Sequence, residues 1–200
     1  MNQLMTTVVL TLLAMTAWAE PIQLGEMAPL GSTKMKSVDG KEIAIADVAG
    51  KSGTLVIFTC NHCPFVKAWE TRIAEIGNAY RNKEVGVIAI NSNDPAAYPE
   101  DNYGAMQARA KARGFVFPYV VDATSAVAQA LGASHTPECY LFDKDGKLVY
   151  HGAVDDDKDI TKVTQHWLAD ALDAVVSGKD VPVKETKAIG CSIKFRTGSD

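Results

Sequence analysis

The stretch TLVIFTCNHCPF, residues 54–65, decides the fold. Its first half is an unbroken run of β-branched and apolar side chains, the pattern of a strand buried on both faces of a sheet. The run ends on Cys60, and Cys63 follows with only Asn61 and His62 between them. From Pro64 to about Tyr80, Phe65, Ala68, Trp69, Ile73 and Ile76 recur at helical spacing, and proline is tolerated in a first helical turn. The two cysteines therefore stand where a buried strand hands over to a helix.

Working outward, VGVIAIN (85–91) is a second strand of parallel-sheet character. The polar loop 91–100 follows, at the strand end where α/β proteins place their sites, and Tyr98 is its candidate for lining a cleft. A helix is expected over 102–113, a partly extended segment at FVFPYVVD, and a short helix in TSAVAQALGA closed by Gly132. HTPECYLFDKDGKLVYHGAVD reads as a β-hairpin turning at 143–146. MKSVDGKEIAI reads as an earlier hairpin turning at 38–41. A last helix is expected over 160–177, capped by the acidic run Asp155 to Asp159, which lacks the glycine and later glutamate of a calcium loop.

The chain of 200 residues is long enough to bury a core without disulfide staples, and 47% hydrophobic with 22% charged residues suits a globular domain. A net charge of -4 argues against a nucleic-acid partner, whose phosphates call for a basic surface. Residues 1–19 carry no charge and end in Ala17-Trp18-Ala19, the small-x-small pattern of a signal peptide cut after Ala19. The expected organisation is a leader at 1–19, one domain at 20–178 and a C-terminal tail at 179–200. Such a chain would be periplasmic or secreted, in an oxidising compartment.

A cysteine pair at a strand-to-helix junction has a physical purpose. Free backbone N–H groups and the positive end of the helix dipole stabilise a thiolate, so Cys60 is expected to attack and Cys63 to resolve. His62 would add positive charge or a hydrogen bond to the Cys60 thiolate. A more stable thiolate makes a stronger oxidant, because the reduced state gains the stability. A purely structural staple explains the pair poorly, since closing so small a loop removes little chain entropy.

At these residues the sequence resembles the thioredoxin superfamily, and within it the redoxins related to peroxiredoxins (AhpC/TSA) and to exported TlpA/ResA-type proteins. Cys60-Asn61-His62-Cys63-Pro64 after a strand is one motif. Thr136-Pro137 before the strand at 139–142 is a second, matching the position where a cis-proline packs against the disulfide, and the extra helical material between the second βα unit and that proline, as in peroxiredoxin-like members, is a third. The resemblance implies an α/β thioredoxin-like fold: a central mixed β-sheet flanked by helices, with an N-terminal β-hairpin and an insertion before the cis-proline strand. It implies thiol-disulfide exchange with protein or small-molecule thiols, Thr136 and Pro137 shaping the substrate groove, no organic cofactor, no metal, and for a reductant a membrane electron donor. A peroxiredoxin would carry Thr or Ser three residues before its Cys-Pro; here Cys60 stands there. Sco-type copper proteins, which use C-x-x-x-C and a distant histidine, supply a rival with His135 as the ligand. Cys139 is expected as a buried structural thiol; Cys191 has three readings, a disulfide with Cys139, a second resolving thiol and a free thiol.

Overall fold

The computed structural model describes residues 21–196. The leader and its cleavage after Ala19 lie outside the described residues.

The buried runs pair with one another at the centre of a seven-stranded sheet, order β2-β1-β5-β4-β3-β7-β8. The strands are β1 (Met35–Ser37), β2 (Glu42–Ile43), β3 (Gly53–Phe58), β4 (Val85–Asn91), β5 (Tyr119–Val121), β7 (Glu138–Asp143) and β8 (Leu148–Gly152). A separate two-residue ladder joins β6 (His135–Thr136) to β9 (Cys191–Ser192). β3 runs parallel to β4 and antiparallel to β7, so the sheet is mixed and β3, apolar throughout, is central. Two apolar layers cover its faces. Leu55, Ile57, Leu141 and Tyr150 pack with Trp69, Ile73, Leu168 and Leu172 on one side, and Val56, Phe58, Ile88 and Tyr140 pack with Val127 and Leu131 on the other.

Among the described residues, four helices flank the sheet: α1 (Pro64–Arg81), α2 (Tyr103–Arg113), α3 (Ala126–Leu131) and α4 (Trp167–Val176). Helix α2 starts as its sequence requires, with the Asn102 Oδ1 accepting from the Ala105 backbone N–H at 2.9 Å. Helix α1 buries Val66 and Glu70 where the periodicity expected Ala68. Ala68 faces solvent; Glu70 is tolerated inside because Arg109 and Arg113 pair with it.

The last helix is shorter than expected. Residues 160–162 form a 3-10 turn and α4 begins only at Trp167, because the acidic run folds back on the segment between. Asp156 accepts from the Thr164 and Gln165 backbone N–H groups, at 2.9 and 3.1 Å. Asp159 caps the 3-10 turn through Thr161, and Asp155 is buried on the Trp69 indole N–H (2.6 Å) and the Arg72 guanidinium. The run thus ties α1 to the loop before α4.

Residues 179–196 do not hang free as an appended tail. They run along the β8 edge, where the His151 N–H donates to the Lys184 carbonyl and the Thr186 N–H donates to the His151 carbonyl, and continue to β9.

Candidate functional site

Strand β3 ends at Phe58, and two residues later Cys60 leaves the sheet; Cys63 is the N-cap residue of α1, with extended φ and ψ of -61° and 126°. Both thiols face the Thr136-Pro137 peptide, which is cis. The Cys60 Sγ is 3.3 Å from the Thr136 Oγ1, and the Cys63 Sγ is 3.3 Å from the Thr136 carbonyl oxygen. The two motifs, more than seventy residues apart in the chain, are thus one site.

The pair is buried, Cys60 at 2% and Cys63 at 0% exposure, and two sulfurs in contact titrate together. The charge settles on Cys63. The Cys60 thiol donates to it and, although burial opposes ionisation, further bonds from the Cys191 thiol and the Val66 backbone N–H in the first turn of α1 lower its pKa. Cys60 moves the other way, because its proton is held by Cys63, because it is buried, and because the Asp101 carboxylate repels a second charge. The expectation placed the helix N-terminus at Cys60; in the structure Cys63 is the N-cap residue of α1, so the stabilisation of a thiolate there acts on Cys63. The contact from Cys63 to the Thr136 carbonyl is one its thiol makes only while protonated, so ionisation gives that contact up.

His62 is beside the pair, but its hydrogen bond goes elsewhere. Its Nδ1 lies 2.5 Å from the Asp101 Oδ2, and its ring stacks on Tyr98 at 4.1 Å. Asp101 is the residue that sequence reading missed. Just past the polar loop and 1% exposed, it accepts from the Asn61 backbone N–H at 2.5 Å and from the Asn93 Nδ2 at 2.9 Å. The Asn61 side chain is fixed in turn by the Glu100 carbonyl and the Tyr119 hydroxyl, and the Arg109 guanidinium donates to the Asn61 carbonyl at 3.0 Å. The residues between the cysteines are thereby locked to β4, β5 and α2.

Donor atoms of Cys60, His62 and Asp101 lie within 4.8 Å of one another, a spacing that a metal ion could span. Both Asp101 oxygens already accept hydrogen bonds, so an ion there must displace them. His135, the ligand of the rival copper reading, is outside this group: its Nδ1 meets the Ser134 hydroxyl.

The remaining cysteines separate clearly. Cys139, paired in register with Ile57, is sealed in the core, and burial pushes its thiol up. Cys191 packs instead against Cys60, Cys63 and Val66, and is partly exposed. In the described fold the reading of a Cys139–Cys191 disulfide is overturned, because β9 carries Cys191 to the site and β7 carries Cys139 away from it. A surface cleft near Lys51, Asp143, Lys147 and Lys179 is at the opposite end of β3 and holds no cysteine.

This arrangement of sheet, helices and facing cis-proline is a thioredoxin-like fold. The Redoxin family model matches residues 23–166, most of the chain, and the chain belongs to that family. A hypothetical protein from Sinorhizobium meliloti 1021 superposes with a TM-score of 0.82 at 37% identity, covering 90% of this chain and 98% of that one. An uncharacterized conserved protein from Geobacillus kaustophilus gives a TM-score of 0.82 at 40% identity, covering 88% and 94%. The thiol-disulfide oxidoreductase ResA of Bacillus thuringiensis (strain Al Hakam) is 26% identical over 130 residues, which are 65% of this chain and 69% of that protein.

Proposed function

We propose that the protein is an exported thiol-disulfide oxidoreductase that works through Cys60 and Cys63. The observation that carries this reading is the contact of both sulfurs with Thr136, one through its hydroxyl and one through its carbonyl, at the N-terminus of α1. A thiolate is stabilised there, a second thiol stands ready to resolve a mixed disulfide, and no organic cofactor is needed. Similarity to ResA supports the same chemistry. Thr136 and Pro137 shape the groove for the partner, a protein or small-molecule thiol or disulfide. His62 acts through Asp101, fixing the turn between the cysteines and tuning their charge. The uncharged leader ending at Ala19 supports a periplasmic or secreted location, where a chain working as a reductant would draw electrons from a membrane donor.

The test is exchange of the mature protein with glutathione and dithiothreitol, followed by alkylation and mass spectrometry. Cys63→Ser should lower turnover by more than about a hundredfold, and Cys60→Ser, which removes one thiol of the motif, by about tenfold. Unchanged turnover in either variant removes the pair from the chemistry. Dimedone labelling after hydrogen peroxide, read in the same samples, tests for thiol peroxidation.

A further inference from the structure

The buried pair poses a problem of access. With Cys60 and Cys63 at 2% and 0% exposure, a partner's sulfur has no line of approach to either. The edge beside Thr136, where an extended partner would add as a strand, is already filled. Strand β9 pairs there with Cys191 in register opposite Thr136. Gly190 lies so close that a Cβ would fall 2.2 Å from the Thr136 carbonyl oxygen, so the strand can approach only because this residue has none. The Ile193 N–H donates to the Ser134 carbonyl and the Lys194 N–H to the Asn93 Oδ1, both at 2.8 Å, pinning β9 down. Cys191 therefore sits where a substrate cysteine would sit, packed on Cys63 from inside and partly open to solvent outside.

We propose that Cys191 is a third redox thiol, the port through which the buried Cys60–Cys63 pair exchanges with its partner by way of an internal Cys63–Cys191 disulfide. The inference rests on the exchange chemistry proposed above and names the atom that meets the partner. Starting from the Cys60–Cys63 disulfide, the Cys191 thiolate attacks the Cys63 Sγ. The new S–S bond forms, the old one breaks, and its electron pair leaves on Cys60, which takes up the proton that Cys191 released. No net oxidation has occurred. A thiolate of an external dithiol then attacks the Cys191 Sγ, and Cys63 departs as the thiolate its site stabilises. The dithiol's second sulfur closes the external disulfide and frees Cys191, which takes up one of the dithiol's two protons. The other goes to solvent while Cys63 stays a thiolate, so an electron pair and one proton have passed to the protein. Run backwards, the same steps reduce an external disulfide.

Full-length mature protein tests this. Cys60→Ser, treated with oxidised glutathione, acid-quenched, alkylated and digested, should yield a Cys63–Cys191 linked peptide as the main product, with Cys139 alone alkylated after unfolding. Cys191→Ser in an otherwise native chain should slow reduction of the Cys60–Cys63 disulfide by dithiothreitol at least about tenfold, through loss of an intramolecular attacking thiol. If Cys60→Ser holds glutathione on Cys63 while Cys191 stays free, the relay is wrong. A Cys191→Ser rate equal to or above wild type overturns it as well. Both results leave the exchange reading standing as long as the wild-type chain turns over; a wild-type chain without exchange overturns both.

Discussion

Two ladders meet at Thr136-Pro137, and they are built to different standards. On one side β3 and β7 run together for six register pairs, from Gly53 with Asp143 to Phe58 with Glu138, with apolar layers on both faces. On the other, β6 and β9 share two register pairs, His135 with Ser192 and Thr136 with Cys191. The first can open only if the core opens. The second can part while the sheet stays whole, since it rests on few bonds and a partly exposed strand. Rigid cysteine support and a removable cover are thus two different ladders on one cis-proline loop.

The largest effect should come from damaging the long ladder. Leu141, fully buried and opposite Leu55, cannot be truncated without leaving a cavity. Leu141→Ala should cost roughly 2–5 kcal/mol in urea unfolding, with near-wild-type exchange in the molecules that remain folded. A cost under about 1 kcal/mol would mean that β7 is not the load-sharing neighbour of β3 described above.

Next comes Glu138, which ties the two ladders together. Its Oε2 accepts from the Ser134 and His135 backbone N–H groups, and its Oε1 lies 2.6 Å from the His151 Nε2. Burial alone pushes this carboxyl up, but the bonds from His151, Ser134 and His135 outweigh it and hold its pKa below the ordinary value. Its stabilisation is therefore full above the unfolded carboxylate pKa of about 4.3 and is lost as pH falls through the lower folded value. Glu138→Gln should cost about 2 kcal/mol at neutral pH and flatten that acid limb of the stability profile. An unchanged acid limb would place the sensitivity in other carboxylates.

A smaller and more local effect belongs to the short ladder. Gly190→Ala puts a methyl against the Thr136 carbonyl and must push β9 outward. Alkylation of Cys63 in the native state should quicken about tenfold, the equivalent of about 1.4 kcal/mol taken from the closed arrangement, while the unfolding midpoint hardly moves. Equal loss in both measurements would show that the two ladders open together.

The long ladder was the legible one. Continuous apolar runs at 54–60 and 85–91 and a hairpin turning at 143–146 are periodic signals, and the strands Gly53–Phe58, Val85–Asn91 and Glu138–Asp143 sit on them within a residue or two. The cysteine pair and Thr136-Pro137 were legible for the same reason, each being attached to a strong strand. Strand β9 was not, because two residues have no period, and Cys191 reaches the site only through the path of the whole tail. Asp101 was missed by one residue. Its loop was expected at the right end of β4, but which side chain turns toward α1 depends on the parallel pairing of β3 with β4 and on the 3-10 turn at Pro99–Asp101, neither of which leaves a mark in local sequence. Glu70 escaped because a carboxylate on a buried helix face is explained only by arginines on α2.

Asp101 offers the finest test of how the rigid side serves the chemistry. Its carboxylate disfavours a thiolate on Cys60 by direct repulsion, while its bonds to Asn61, Asn93 and His62 hold the turn in place. Asp101→Asn keeps the shape and most of the bonds and removes the charge. The thiolate, no longer repelled from Cys60, can then be shared between the two sulfurs. The reduced pair should therefore gain stability relative to the disulfide, and the reduction potential should rise by at most about 30 mV, the equivalent of about 1.4 kcal/mol. Equilibration of the mature protein with dithiothreitol buffers reads this directly. A fall in potential would mean that the oriented His62, rather than the charge of Asp101, governs the pair, because the amide does not reproduce the carboxylate's contact with the His62 Nδ1. His62→Asn decides between these accounts: if the Asp101 charge governs, that variant keeps a near-wild-type potential, and if the imidazole governs, it falls with Asp101→Asn.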